Sequence, residues 1–385
     1  MLKAALLFVF AALFLSPLPP PVAGTVFDDR NANGVRDPGE PGLAGVVVSN
    51  QVEVVRTGAD GGFELPSVGT GVIFVSVPEG RRVVGRFWRA TDGGPPVFAL
   101  APLAAPAEFA FIHASDTHLN EQSLPRTRRL KALVDSLKPA FLIITGDLIR
   151  DALRVPEAAS RPQFELAARE FEAIGVPVWT VPGNHDLFGI ERHLSLVPLT
   201  HPLYGRGMYR HYLGPDYYSF NYGGVHFVGV NSVDHEDLWY WGHVDSLQLA
   251  WLKRDIATLP PGTPVVTFNH IPFATTAIDL DGYTDDPPAP TLIRVRGTTK
   301  FRHMVNNTDT ILAALKPARL ELALGGHTHR RESIAYPADG RLIRFHQASA
   351  VIAGAEIAGV PTQSGVTVYR VRGGRVDDGT FVPLP

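Results

Sequence analysis

The 385-residue sequence contains no cysteine. Disulfides, thiolate zinc sites and cysteine nucleophiles are therefore excluded, and any metal must be held by nitrogen or oxygen. A charge excess of either sign is also missing. Lys and Arg number 35 against 38 Asp and Glu, for a formal net charge of −3. No basic patch for nucleic acid is evident from that balance. Long apolar runs are scarce as well. Residues 4–15 (AALLFVFAALFL) form the one clear run, behind Lys3. Twelve residues suit the core of an export signal better than a membrane-spanning helix. Prolines at 17, 19, 20 and 21 follow, and Ala23-Gly24 offers a cleavage point. Residues 1–23 thus read as a signal peptide, with a periplasmic, envelope or secreted destination. Membrane contact is expected only through this segment, if it is not removed.

What the chain does have falls into two textures. Between residues 24 and 100, short runs rich in β-branched residues (45–50, 52–57, 62–65, 71–77) are separated by Gly and Pro turns. Repeated short strands without helical periodicity predict a small all-β sandwich. Residues 101–107 (APLAAPA) read as a linker. From residue 108 onward apolar strand runs alternate with helical stretches. Strands are expected at 109–114, 140–145, 176–181, 225–230, 265–268 and 319–324. Helices are expected at 125–137, 162–174 and 245–259. The layout is α/β, with further strand pairing toward residue 385.

Five short motifs stand at the ends of these strands: Asp116-Thr-His118, Gly146-Asp147, Gly183-Asn184-His185-Asp186, Asn269-His270 and Gly326-His327-Thr328-His329. The carboxyl ends of strands are where α/β sheets build their sites. Taken singly, a Gly-Asp pair is usually a turn. Taken together, imidazole, carboxylate and amide donors at successive strand ends describe a metal cluster suited to Mn, Zn or Fe. A carboxylate can bridge two ions, as dimetal sites require.

The ordered set D-x-H, G-D, G-N-H-D, H and G-H-x-H resembles the calcineurin-like metallophosphoesterases. The resemblance implies a four-layer α/β/β/α catalytic domain over residues 108–385. It implies that Asp116, His118, Asp147 and His329 hold one metal, and Asp147, Asn184, His270 and His327 a second. Asp147 would bridge. His185 would not ligate; it would protonate the leaving oxygen or steady the phosphate, with Asp186 orienting it. The implied reaction is hydrolysis of a small phosphorylated substrate, mono- or diester, by a metal-activated hydroxide. Purple acid phosphatases carry a tyrosine three residues after the G-D aspartate. Here that position is Arg150, which argues against a tyrosinate–iron centre. His113 and His226 lie in strands and read as core or as residues standing behind the metal ligands. Arg210, His211 and His303 lie between motifs and could meet substrate. The competing reading is a surface-display or binding protein with a vestigial metal site, although no ligand type is missing.

The β-rich region holds one more pattern. Asp29, Asn31, Asn33, Val35, Asp37 and Glu40 fill positions 1, 3, 5, 7, 9 and 12 of a calcium-loop template, with Gly34 at position 6. Val35 would contribute its carbonyl. The segment resembles calcium-binding β-sandwich repeats of bacterial surface proteins, and small β-domains that precede some secreted metallophosphoesterases.

Overall fold

The computed structural model describes residues 20–384, except 105, 237, 287–289, 339–340, 353–355 and 358–359. The apolar run at 4–15 lies outside the described residues. Among those described, no helix is long and apolar enough to cross a membrane.

Two six-stranded sheets form the body of the chain. In the first, Glu108–Ala114, Leu142–Thr145 and Val178–Val181 run parallel, and Gly365–Arg372 joins antiparallel beside Glu108–Ala114. In the second, Val225–Gly229, Pro264–Phe268, Arg319–Gly325 and Arg341–Gln347 run parallel. Tyr218–Tyr222 and Glu332–Ala338 close its two edges antiparallel. Alternation along each strand splits the core. Phe111 and Phe141 point between the sheets and meet Phe227 edge-on, with ring centroids 5.5 and 5.1 Å apart. Ile112, Ala114 and Ile144 point the other way and pack with Leu130 and Val134 of helix Leu124–Leu137 and Phe164 of helix Glu157–Glu172. Helices Ser246–Ile256 and Thr308–Leu315 contribute Trp251 and Ile311 to the core of the second sheet. The mixed α/β architecture expected from the sequence is present.

Helix Glu157–Glu172 starts five residues before the expected 162. Proline suits a first turn, but Pro162 does not open this helix. Instead it sits inside, where its missing N–H costs one i→i−4 bond.

Residues 20–102 form two four-stranded sheets, ordered Gly62–Leu65, Val22–Asp28, Val97–Pro102, Arg81–Val84 and Val54–Arg56, Val47–Ser49, Val72–Ser76, Trp88–Ala90. Two boundaries differ from expectation. Val97–Pro102 pairs in parallel with Val22–Asp28, so the first residues of the expected linker belong to a sheet. Val22 and Ala23 are already paired with Leu65 and Glu64, so a cut after Ala23 would shorten that strand by its first two residues. This β-rich unit is not tethered loosely. Phe74 meets Tyr218 and Trp251 edge-on, and the Trp251 indole N–H donates to Ser49 Oγ at 3.1 Å.

Candidate metal centre

The motifs at residues 116–118, 146–147 and 183–186 follow the parallel strands of the first sheet, and those at 269–270 and 326–329 follow strands of the second. The chain must turn inward at once to bring donors from both sheets together. Five of the seven expected ligands take the left-handed backbone region: Asp116, His118, Asp147, His327 and His329. Each such non-glycine residue costs on the order of 1–3 kcal/mol, a strain that concentrates at functional sites. Two glycines make room. A Cβ on Gly183 would stand 2.1 Å from Asp147 Oδ1, and one on Gly326 would stand 1.9 Å from Ser115 Oγ.

Two clusters result, joined at one carboxylate. In the first, His329 Nε2 lies 3.2 Å from both Asp116 Oδ1 and His118 Nε2, and His118 Nε2 lies 3.7 Å from Asp147 Oδ2. In the second, His270 Nε2 lies 3.3 Å from Asp147 Oδ1, 3.2 Å from Asn184 Oδ1 and 3.1 Å from His327 Nδ1. Donors around an ion with 2.0–2.1 Å bonds stand about 3.4 Å apart, close to the separations above, although Asp147 does not come within 4.8 Å of all three of Asp116, His118 and His329. Asp116 Oδ1 is buried, and the His329 nitrogen 3.2 Å away does not meet it in hydrogen-bond geometry. A buried carboxylate oxygen left that way is costly, and a cation resolves it. Nitrogen and oxygen donors without sulfur fit Mn, Zn or Fe.

The ring orientations are set from behind. His270 Nδ1 donates to the Thr145 carbonyl at 2.7 Å, which leaves Nε2 free to ligate. The charges around Asp147 are opposed. Burial disfavours its carboxylate, but His270, His185 and His118 outweigh burial and hold it well below the usual range. Burial likewise works against a charged His270, yet Asp147 and Asp116 raise it to about 9. Without metal, protonated imidazole supplies the positive charge that the carboxylates require.

His185 stands beside this centre. One of its ring nitrogens lies within 4.8 Å of the ligand atoms of His118 and Asp147. Its expected partner is corrected. Asp186 does not face the imidazole: it is buried and accepts N–H donors from Gly183, Leu148 and Ile149 at 2.7, 3.0 and 3.1 Å. It thereby clamps the two loops carrying Asn184 and Asp147. Asp151 is the carboxylate beside His185, with Oδ1 3.7 Å from Nδ1. It follows Asp147 by four residues, a spacing visible in the sequence.

The secondary candidates separate. His113 is buried against Thr145 Oγ1 at 2.9 Å, and burial pushes it down to about 3. His226 is buried between Asp255 and Asn221. Arg210 is spent on buried Asp216 at 2.7 Å, and with His211 it lines a separate cleft of about 1270 Å³. His303 does reach the centre, 2.6 Å from His327. Sequence reasoning missed Tyr240, whose ring lies 6.2 Å from that of His327, and Arg302, packed 4.3 Å over the Tyr240 ring.

In the β-rich unit, the loop from Asp29 to Glu40 closes on itself. Asp29 accepts from the Asn33 and Gly34 N–H groups, and Asp37 accepts from the side-chain amides of Asn31 and Asn33. Asn33 Oδ1 accepts from the N–H of exposed Val35. The Glu40 carboxylate accepts from the Arg30 and Asp37 N–H groups. Among the described residues, the groups of three close acidic or imidazole ligand atoms all lie in the metal centre rather than here.

Residues 109–331 match the calcineurin-like phosphoesterase family model, which spans more than half of the chain, and the chain belongs to that family. It is similar to serine/threonine-protein phosphatase CPPED1 of Homo sapiens, at 28% identity over 167 residues, 42% of this chain and 49% of that one. It is also similar to the uncharacterized protein C23A1.02c of Schizosaccharomyces pombe, at 24% over 234 residues, 50% and 51% of the two chains. The chain thus spans about half the length of these curated relatives. A dimetal phosphatase structure from Danio rerio aligns with 72% of this chain and 99% of its own, at 14% identity and a TM-score of 0.46.

Proposed function

We propose that the chain is a dinuclear metal-dependent phosphoric ester hydrolase acting on a small phosphorylated substrate. The carrying observation is that Asp147 reaches His118 of one donor cluster through Oδ2 and His270 of the other through Oδ1. Asp116, His118, Asp147 and His329 would hold one ion, and Asp147, Asn184, His270 and His327 the other. When bound, such a pair supplies Lewis acidity toward phosphate oxygens and lowers the pKa of water. His185 serves as the proton donor to the leaving oxygen, and Asp151 keeps its imidazole turned inward. The His185 N–H of the main chain also donates to Asp147 Oδ1 at 2.9 Å, so the acid and the bridging carboxylate are held in one piece. A reading as a display protein with a vestigial site is disfavoured by the intact donor set.

The same reading takes the catalytic unit as helix–sheet–sheet–helix layers and the β-rich unit as a sandwich domain of an exported protein. It takes the Asp29–Glu40 loop as a calcium site, supported by the ordered oxygen positions and by Gly34 with φ of 80° at the turn. The test of function is hydrolysis of bis-p-nitrophenyl phosphate and p-nitrophenyl phosphate with Mn, Zn or Fe added. Turnover of either, abolished by chelator and restored by metal, is expected. Inactivity toward both with two ions bound would contradict it.

A further inference from the structure

We propose that His303 is a positioning residue that fixes the tautomer and direction of His327 and thereby sets the affinity of the second metal position. The inference rests on the dinuclear reading above and concerns a residue outside the five motifs.

His327 presents Nδ1 to the second cluster, 3.1 Å from His270 Nε2. Its other nitrogen, Nε2, lies 2.6 Å from His303 Nδ1, and the two rings meet edge to edge with centroids 4.9 Å apart and planes 27° apart. A neutral imidazole has one N–H and one lone pair. If the Nδ1 lone pair faces a metal, the proton must sit on Nε2. That N–H needs an acceptor, and His303 Nδ1 is in place. His303 must then carry its own proton on Nε2. The bond therefore dictates one tautomer for each ring. His270 solves the same problem with the Thr145 carbonyl. His327 relies on a side chain, so its support can be removed by substitution.

The segment around His303 is built to hold it still. Arg302, only 3% exposed, packs on Tyr240 and stands 3.6 Å from Glu191. The Val305 N–H donates to the Pro272 carbonyl at 2.9 Å. The Asn306 side chain donates to the Gly242 and Phe301 carbonyls and accepts from the Phe301 N–H. His303 is thus fixed from both sides along the chain. A ring held this way can orient a ligand, because partners behind metal-bound imidazoles govern affinity by roughly 10–100-fold.

The test is metal binding by the full chain, with Mn or Zn counted by elemental analysis and both affinities measured by chelator competition. Relative to wild type, His303→Leu should weaken the second ion by roughly 10–100-fold and leave the first unchanged. His303→Asn, whose amide oxygen can replace Nδ1 as acceptor, should retain most of the affinity. Unchanged binding of both ions in His303→Leu would overturn the inference while leaving the dinuclear reading intact. Equal loss in the Leu and Asn variants, or loss of both ions with a fall in melting temperature, would overturn the acceptor role. A wild-type chain that binds fewer than two ions would overturn both the inference and the reading beneath it.

Discussion

Asp151 Oδ1 lies 3.7 Å from His185 Nδ1, while Asp186, next to that histidine in sequence, turns away to bind three backbone N–H groups. The two carboxylates therefore have different duties, and substitutions should separate them.

If His185 delivers a proton to the leaving oxygen, His185→Ala should slow turnover roughly 10²–10⁴-fold with metal content unchanged. Asp151→Asn should give a smaller loss, because the imidazole remains but loses its charged partner. Asn keeps an oxygen for the Leu153 and Arg154 N–H groups that Asp151 Oδ1 accepts. Steady-state rates on nitrophenyl and alkyl esters check this, with larger losses expected for the alkyl esters. An Asp151→Asn enzyme with wild-type kcat on both would remove the pairing.

Asp186→Ala should act on stability first. It strands three buried N–H donors, at a cost on the order of 3 kcal/mol. Because those donors belong to the loops of Asp147 and Asn184, metal content should fall with the melting temperature. A variant that melts like wild type would show that the clamp is dispensable.

Metal loading should release protons. His270 is raised to about 9 in the metal-free centre by Asp147 and Asp116, against its burial. It is therefore protonated at pH 7, and a ligating ion must displace that proton. The sign follows from the raised value. The charged His270 stabilises the metal-free fold fully below its unfolded pKa of about 6.5. That contribution is lost as pH rises through about 9. Apparent metal affinity should therefore rise from pH 6 to 9. Calorimetric titration at pH 7 in two buffers of different ionisation enthalpy should report about one or more protons released per chain. Zero release would contradict this charge assignment.

Calcium should stabilise the full chain through the loop at residues 29–40. A ligand at 100 times its Kd adds about 2.7 kcal/mol. Glu40, at the position that binds calcium through both oxygens, should matter most, so Glu40→Gln should reduce the calcium-induced rise in melting temperature without affecting catalysis. The full chain is the right material, because Phe74 and Ser49 pack directly on the catalytic unit. A midpoint that does not move at millimolar calcium would leave the loop as a turn closed by its own hydrogen bonds.

Much of the centre was legible because its ligands are tied to strand ends, which local pattern reveals. Apolar runs at 109–114 and 140–145 become Glu108–Ala114 and Leu142–Thr145, and the next motif follows each. The partner of His185 was misassigned because adjacency in sequence stood in for direction in space. The main chain turns between His185 and Asp186, and the Asp186 carboxylate finds donors in its own loop and the next. His303 carries no motif, and its contact with His327 spans 24 residues. The strand Val97–Pro102 was partly read as linker because its partner, Val22–Asp28, lies more than seventy residues earlier. Pairing of that kind is set by tertiary packing and leaves little local trace.

The shared carboxylate of Asp147 is the centre of the account, and counting metal in the Asp147→Ala variant tests it most directly. Its Oδ2 faces His118 and its Oδ1 faces His270, at 3.7 and 3.3 Å, so one substitution takes a donor from both positions. Elemental analysis of wild type after loading and desalting should find two ions per chain, and the variant should retain almost none. Two ions still bound to Asp147→Ala would contradict the bridge.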